Sequence, residues 1–147
     1  MKSLNKTIEF QTKEELDFID VTDKVTAFVS ESKIKNGLVN IQSMHTTATV
    51  IVNENEPLLI EDFKRHLKES ASKDRDYRHN DFTIRTVNMC AEECVNGHAH
   101  CRAIHLPVSA VLNLINGKLQ LGQWQRIFFV ELDQSRQRRF QIQIIGD

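Results

Sequence analysis

Short blocks of apolar and polar residues along the chain predict more strands than helices. Strands are expected where β-branched and aromatic residues alternate with polar ones or run together. The predicted strands are Thr7–Thr12, Phe18–Val21, Leu38–Gln42, Thr47–Val52, Val108–Ile115, Leu119–Leu121, Ile127–Leu132 and the alternating stretch from Phe140 to Ile144. Leu38–Gln42 and Thr47–Val52 are either one bent strand or two strands.

Two other segments have helical spacing of their apolar residues. The first predicted helix begins with Thr22 or Asp23 as its cap and ends near Gly37, a residue type that often follows a helix. The second begins at Pro57, where a missing N–H costs nothing, and its apolar stripe extends to Leu67. A short third helix is one interpretation of residues 98–104.

The order of these elements favours an antiparallel α+β fold, either a sheet or a sandwich with two to three helices. The predicted strands follow one another closely, and Asn116-Gly117 is a strong hairpin signal. A TIM barrel normally needs about 250 residues, and this chain has 147. We therefore expect one domain over residues 1–147.

Charge and composition exclude several classes of partner. The formal net charge is −1, whereas nucleic-acid binders usually carry a basic excess. No stretch approaches the roughly 20 apolar residues of a membrane span, and the first ten residues lack the core of a signal peptide. The three cysteines lie between Cys90 and Cys101, an odd and clustered set that does not suggest disulfides. We expect a cytoplasmic protein.

Histidines are the first candidates for chemistry because neutral imidazole is the commonest metal ligand in proteins. His98 and His100 would point the same way on a strand but diverge on a helix, where only one of them faces a site. His45 interrupts an apolar strand beside hydroxyl side chains, as either a buried packing residue or a ligand. His79 would be an ordinary loop residue by default.

Other residues have both a structural and a chemical interpretation. Glu54 can cap the next helix or act as a general base, and Asp62 is most simply a surface residue. Arg136 belongs to a positive cluster that suits phosphate. Trp124 is by default a core residue. The three cysteines, His98 and His100 are residue types that bind zinc, but their spacing matches no standard zinc motif.

Five motifs, taken in their order along the chain, resemble those of the YjbQ-like family, whose members are labelled as secondary thiamine-phosphate synthases. The resemblance covers nearly the whole chain and five ordered motifs. These are His45–Ala48 with Val52–Pro57, then Tyr77–His79, Asn96–His100, Gly117–Ile127 and Asp133–Arg136. Departures from the family pattern are Pro107, Asn113 and Gln134-Ser135, and the last pair leaves the geometry of the Arg136 loop open.

The resemblance implies an α+β homotrimer with a polar pocket near the subunit boundary. His45, His79 and His100 match the family's histidines and would hold a divalent metal such as zinc, or otherwise a bound phosphate or sulfate. Motif positions also carry the further site residues: Glu54 and Arg136 as catalytic groups, and Asp62, Trp124, Gln125 and the less regular His98 as substrate-binding groups. The expected partners are further copies of the chain and a small phosphorylated metabolite, not nucleic acid or membrane.

Two functions follow from the resemblance. The first is an enzyme with weak thiamine-phosphate synthase activity, in which a metal on His45, His79 and His100, assisted by Arg136, stabilises the departing pyrophosphate. An open three-histidine site also suits metal-assisted hydrolysis. The second is a trimeric module that binds a metal or a phosphorylated metabolite without turnover.

Overall fold

The computed structural model describes residues 1–147 as an α+β fold of eight strands, three α-helices and one 3-10 turn. The elements are β1 (Lys2–Gln11), β2 (Phe18–Asp20), α1 (Thr22–Ser32), β3 (Gly37–Ser43), β4 (Ala48–Glu54), α2 (Pro57–Ser70), the 3-10 turn (Arg78–Asn80), α3 (Gly97–Ala103), β5 (Ser109–Ile115), β6 (Lys118–Leu119), β7 (Gln125–Glu131) and β8 (Gln137–Gly146). No helix is both long enough and apolar enough to cross a lipid bilayer.

The strands form two sheets with only antiparallel pairing. The larger sheet has the order β1-β8-β3-β5-β6, and the smaller one has the order β2-β7-β4. The segments around Leu38–Gln42 and Thr47–Val52 are therefore two strands, and they belong to different sheets. The predicted antiparallel α+β class and the 116–117 hairpin are confirmed.

Three layers enclose two apolar clusters. Between the sheets and α1 lies a cluster of 15 buried residues that includes Val25, Val50, Phe129 and Ile142. A second cluster of six lies between the smaller sheet and α2 and α3. Each cluster uses a different face of β7, so five of its seven residues are buried. This double burial explains the unbroken apolar run at 127–130.

The caps of the helices differ in part from the prediction. Neither Thr22 nor Asp23 caps α1, because the Thr22 hydroxyl accepts the amide of Ile127 at 2.8 Å. The prediction for Gly37 was also wrong. Lys33 ends α1 in the left-handed region with φ 58°, and Gly37 begins β3 where a Cβ would lie 2.0 Å from the carbonyl oxygen of Ile145. Pro57 begins α2 as predicted.

Candidate functional site

His79 and His100 form the centre of the candidate site. His79 lies in the 3-10 turn and His100 on α3, and their half-buried rings have centroids 4.7 Å apart with planes at 68°. The turn reaches α3 because Gly97 has no side chain: a Cβ there would lie 2.6 Å from the Cβ of Tyr77. Asn80 Oδ1 accepts the Gly97 amide at 2.9 Å and holds the two elements together.

Unpaired polar atoms are concentrated in this region. Only four buried side-chain nitrogen or oxygen atoms of the protein make no hydrogen bond, and three of them are His79 Nε2, Asn96 Oδ1 and His98 Nε2. A buried polar atom without a partner costs about 1–3 kcal/mol. Such atoms are tolerated where a ligand, ion or water binds them, and the His79 nitrogen is free to make such a contact.

His45 lies in the connection between β3 and β4 and has a different environment. Its Nε2 accepts a hydrogen bond from the backbone amide of Arg139 at 2.9 Å. A neutral imidazole that accepts at Nε2 carries its proton on Nδ1. In this arrangement the ring has no free lone pair for a metal, and it gains one only when the bond to Arg139 opens.

A cleft of about 350 Å³ joins His45 to His100. Its lining includes these two imidazoles and the side chains of Thr46 and Thr49. Most of the remaining lining is apolar and consists of Ala48, Ala103, Ile104, Leu106, Pro107 and Val108. The cleft can therefore accept a small molecule that has both polar and apolar groups.

Burial favours the neutral form of the two imidazoles that line the cleft. Burial lowers the pKa of His100 below its ordinary value, and the neighbouring His79 lowers it further. Burial also lowers the pKa of His45, with a further contribution from the charge of Arg138. Neutral imidazole is the form that binds metals, whereas direct phosphate binding would need imidazolium. Of the two ligands expected from the sequence, this environment suits the metal better.

The single chain supplies part of a metal-binding set. No three histidine, cysteine, aspartate or glutamate side chains converge closely enough to hold an ion, and all three cysteines are free. His79 and His100 offer two donors of the right chemistry for zinc. Within this chain, His45 could add a third donor only after release of Arg139.

Arg136 is fixed by a network of polar contacts. Its Nε donates to Asp133 Oδ2 at 2.8 Å, and its Nη2 approaches Cys94 Sγ at 2.6 Å. The charge of the same Asp133 partly offsets the lowering of the His100 pKa that burial causes. The departure at Gln134-Ser135 leaves the loop ordered, since the Ser135 hydroxyl donates to the carbonyl of Thr12 at 2.7 Å.

Glu54, Trp124 and Gln125 form a separate group at the far end of β4. They line a surface depression of about 380 Å³, and Glu54 pairs with Gln125 in the sheet. His45 lies shortly before β4 begins at Ala48, and Glu54 is the last residue of β4. Seven residues of extended strand span about 20 Å, so one chain does not bring these groups to the histidines. Trp124 is 65% exposed, so the expectation of a core residue was wrong.

The remaining predicted site residues lie away from the cleft. The His98 ring is 1% exposed, and its Nε2 lies 3.6 Å from Glu15 Oε1. On helix α3 it points to Glu15 while His100 points to His79, which agrees with the divergence expected of a helix. Asp62 is exposed on α2 and pairs with Arg65 at 2.7 Å.

Sequence-based prediction did not identify Glu131 as a residue that supports the candidate site. Glu131 is fully buried at the end of β7 and pairs with Arg138. A carboxylate among apolar residues was the available signal, since a buried charge is rarely retained without a partner.

Comparison with known proteins gives a single family. The model of the family described as UPF0047 protein YjbQ-like matches residues 6–147. A UPF0047 protein of Methanothermobacter thermautotrophicus is 33% identical over 99% of this chain and 94% of its own length. The protein YugU of Bacillus subtilis is 32% identical over 96% of this chain and 98% of its own length.

Solved structures agree with the fold. A YbjQ-like protein of unknown function from Sulfolobus solfataricus superposes with a TM-score of 0.88 at 35% identity, over 99% of both chains. A hypothetical protein from Aeropyrum pernix gives a TM-score of 0.84 at 35% identity over the full length of both chains. An uncharacterised protein from Clostridium acetobutylicum, an orthologue of YugU, gives 0.83 at 33% identity over 95% of this chain and 99% of its own.

Proposed function

Because this chain belongs to the UPF0047 (YjbQ-like) family, we propose that it is a cytoplasmic enzyme acting on a small phosphorylated metabolite at its histidine cleft. The reaction class that we propose is transfer with loss of pyrophosphate, as in thiamine-phosphate synthesis. The single observation that carries the proposal is the contact of His79 with His100, in which the buried His79 Nε2 has no partner.

Arg136 is the group that we assign to the departing pyrophosphate. When the thiazole ring nitrogen bonds to the pyrimidine methylene carbon and the bond from that carbon to the pyrophosphate oxygen breaks, the electron pair leaves with pyrophosphate and negative charge accumulates on it. A guanidinium fixed in advance stabilises that charge without having to reorganise. Asp133 and Cys94 fix one side of Arg136, and its Nη1 has no hydrogen bond within the protein and can contact a phosphate oxygen.

The histidines would hold a divalent ion such as zinc. His79 and His100 would supply two ligands, and the ion when bound would act as a Lewis acid on phosphate oxygens. The neutral state of the His100 ring supports this role over direct binding of phosphate by imidazolium. Thr46, with the apolar lining of the cleft, would orient the organic part of the substrate, whereas the Thr49 hydroxyl donates to the carbonyl of Pro107.

We further propose that a homotrimer completes the site. Glu54, Trp124 and Gln125 lie about 20 Å of strand away from His45, so they would serve the cleft of a neighbouring subunit. Glu54 would move a proton there, and Trp124 would stack on the substrate. An aromatic side chain that is 65% exposed is well suited to such an intersubunit contact.

Mixing two inactive variants tests both the site and its sharing between subunits. His100→Ala and Glu54→Gln should each lack pyrophosphate release from the pyrimidine and thiazole substrates. After joint refolding, about a quarter of wild-type activity should return, because one neighbouring pair in four combines an intact histidine end with an intact Glu54. A mixture of His100→Ala with His79→Ala is the control and should stay inactive.

Activity in the control mixture would overturn the division of residues between the two ends. Glu54→Gln with wild-type turnover would remove Glu54 from the mechanism. Absence of pyrophosphate release from the wild-type protein would overturn the transfer reaction.

The second candidate function is a trimeric binding module without turnover. It is favoured by the Glu54 side chain, which is exposed and has no hydrogen-bonding partner to hold it in a catalytic position. A binder would keep its affinity for Zn²⁺ and pyrophosphate in Glu54→Gln and show no activity in either form. An enzyme would keep the affinity and lose turnover.

A further inference from the structure

Every hydrogen-bond acceptor site of the buried Glu131 carboxylate is occupied. The side chain is 0% exposed, and each carboxylate oxygen accepts two bonds. Oε2 accepts from Arg138 Nε at 2.6 Å and from the Thr12 hydroxyl at 3.0 Å. Oε1 accepts from Arg138 Nη2 and from the amide of Asp133 at 3.0 Å. A carboxylate has about four acceptor sites, so none remains free.

One branch of this network leads to His45. Arg138 Nη2 donates to the hydroxyl of Thr47 at 2.9 Å, and Thr47 lies two residues after His45 in the same connection. The next residue after Arg138 is Arg139, whose amide donates to His45 Nε2 at 2.9 Å. Glu131 fixes the Arg138 guanidinium, and this guanidinium holds the connection that carries His45. Arg138 also precedes Arg139, whose amide orients the His45 ring.

A second branch leads to Arg136. The Thr12 hydroxyl that donates to Glu131 also accepts the backbone amide of Arg136 at 2.9 Å. The amide of Asp133 is the other link, since the side chain of Asp133 accepts from Arg136 Nε at 2.8 Å. The backbone and the guanidinium of Arg136 are thus both fixed through groups that bind Glu131.

We infer, on the basis of the proposed function, that Glu131 is a positioning residue that fixes both His45 and Arg136. Its carboxylate touches neither ligand nor reacting atoms. It acts through Arg138 and Thr47 on one side and through Thr12 and Asp133 on the other. Buried networks with every partner satisfied have one preferred geometry, so loss of the Glu131 carboxylate disturbs both His45 and Arg136, whereas loss of one hydroxyl disturbs only its own branch.

Removal of single hydroxyls tests the two branches separately. Thr47→Val should shift the ¹⁵N resonances of the His45 imidazole and leave the Arg136 amide unchanged. Thr12→Val should speed hydrogen exchange at the Arg136 amide and leave His45 unchanged. Glu131→Gln should change both, and should weaken Zn²⁺ and pyrophosphate binding by about 10- to 100-fold, as loss of outer ligand support does.

Thr22→Val is the matched control. Thr22 is 4% exposed and its hydroxyl also accepts a β7 amide, that of Ile127, at 2.8 Å. It should alter neither His45 nor Arg136. Unchanged His45 and Arg136 signals in Glu131→Gln would overturn the inference. If that variant does not fold, an unchanged His45 signal in Thr47→Val or an unchanged Arg136 signal in Thr12→Val would overturn it. If the wild-type protein binds neither probe while the branch pattern holds, the proposed function is overturned and the positioning role of Glu131 stands.

Discussion

The His45 imidazole binds the Arg139 amide at the point where the pairing of β3 with β8 ends. The last paired residues are Ser43 and Phe140, and the 2.9 Å bond to His45 Nε2 follows directly. The ring therefore gives the Arg139 amide the acceptor that a longer β3 would have supplied. The lone pair on His45 Nε2 can bind either a metal or the Arg139 amide, but not both at once.

The first prediction concerns this competition. Added Zn²⁺ should speed hydrogen exchange at the Arg139 amide if His45 binds the ion through Nε2. His45→Ala should speed the same exchange without metal and lower the free energy of unfolding by about 1 kcal/mol. Residue-resolved exchange by NMR measures both. An Arg139 amide that stays protected in the zinc-bound protein would show that His45 is not a ligand through Nε2.

The second prediction concerns the close contact of Gly97 with Tyr77. In Gly97→Ala the new Cβ would lie 2.6 Å from Tyr77 Cβ, so the 3-10 turn that carries His79 must move. We expect a loss of about 1–3 kcal/mol in the free energy of unfolding, together with a weaker Zn²⁺ affinity, measured by denaturation and by titration. In Gly122→Ala the nearest atom is in the flexible side chain of Gln125 at 3.3 Å. That control should change stability by less than about 0.5 kcal/mol.

The third prediction concerns the buried Arg102. Its guanidinium donates to the carbonyls of Leu67, Ala71 and Leu132 and to Glu15, and so ties the end of α2 to β7 and α3. Lysine cannot reproduce this planar set of donors. Arg102→Lys should therefore lower the free energy of unfolding by about 3 kcal/mol.

Urea denaturation measures the effect of Arg102→Lys. The exposed Arg65, which pairs with Asp62, provides the control. Arg65→Lys should cost less than about 1 kcal/mol. Equal losses in the two variants would refute the structural role of Arg102.

The fourth prediction concerns stability at mildly acidic pH. Burial lowers the pKa of His45, His98 and His100 below the ordinary 6.5, and the charge of Arg102 next to His98 adds to the effect. The unfolded chain takes up these protons near pH 6.5, whereas the folded chain resists them. The contribution to stability is therefore complete above pH 6.5 and is lost as the pH falls toward the folded-state values.

Denaturation between pH 7.5 and 5 in the presence of a chelator measures this effect. The free energy of unfolding should decline with falling pH, and His98→Gln should flatten the curve. A wild-type curve that does not fall below pH 6.5 would contradict the assigned pKa directions.

Much of the fold follows from local pattern. Alternation along residues 140–144 predicted a strand with one buried face, and β8 has that pattern. The assignment of β3 and β4 to different sheets could not be predicted, because pairing depends on partners distant in sequence. The end of α1 at Lys33 was missed since a left-handed lysine leaves no signal comparable to Gly37.

The candidate site, too, could be predicted from the sequence only in part. Motif order placed His45, His79 and His100 together, and the structure puts His79 against His100 with His45 on the same cleft as His100. The distance between Glu54 and these histidines, and the bond between His45 and Arg139, depend on strand length and register. Neither quantity is encoded in a motif.

The most direct test of the account is a Zn²⁺ titration of the wild-type protein, His79→Ala, His100→Ala and His66→Ala against a chromophoric chelator. His66 is exposed on α2 and serves as the control. We predict that the wild-type protein and His66→Ala bind Zn²⁺ equally, and that His79→Ala and His100→Ala each bind at least about 100-fold more weakly. Equal affinity in all four proteins would contradict the claim that His79 and His100 form the centre of a ligand site.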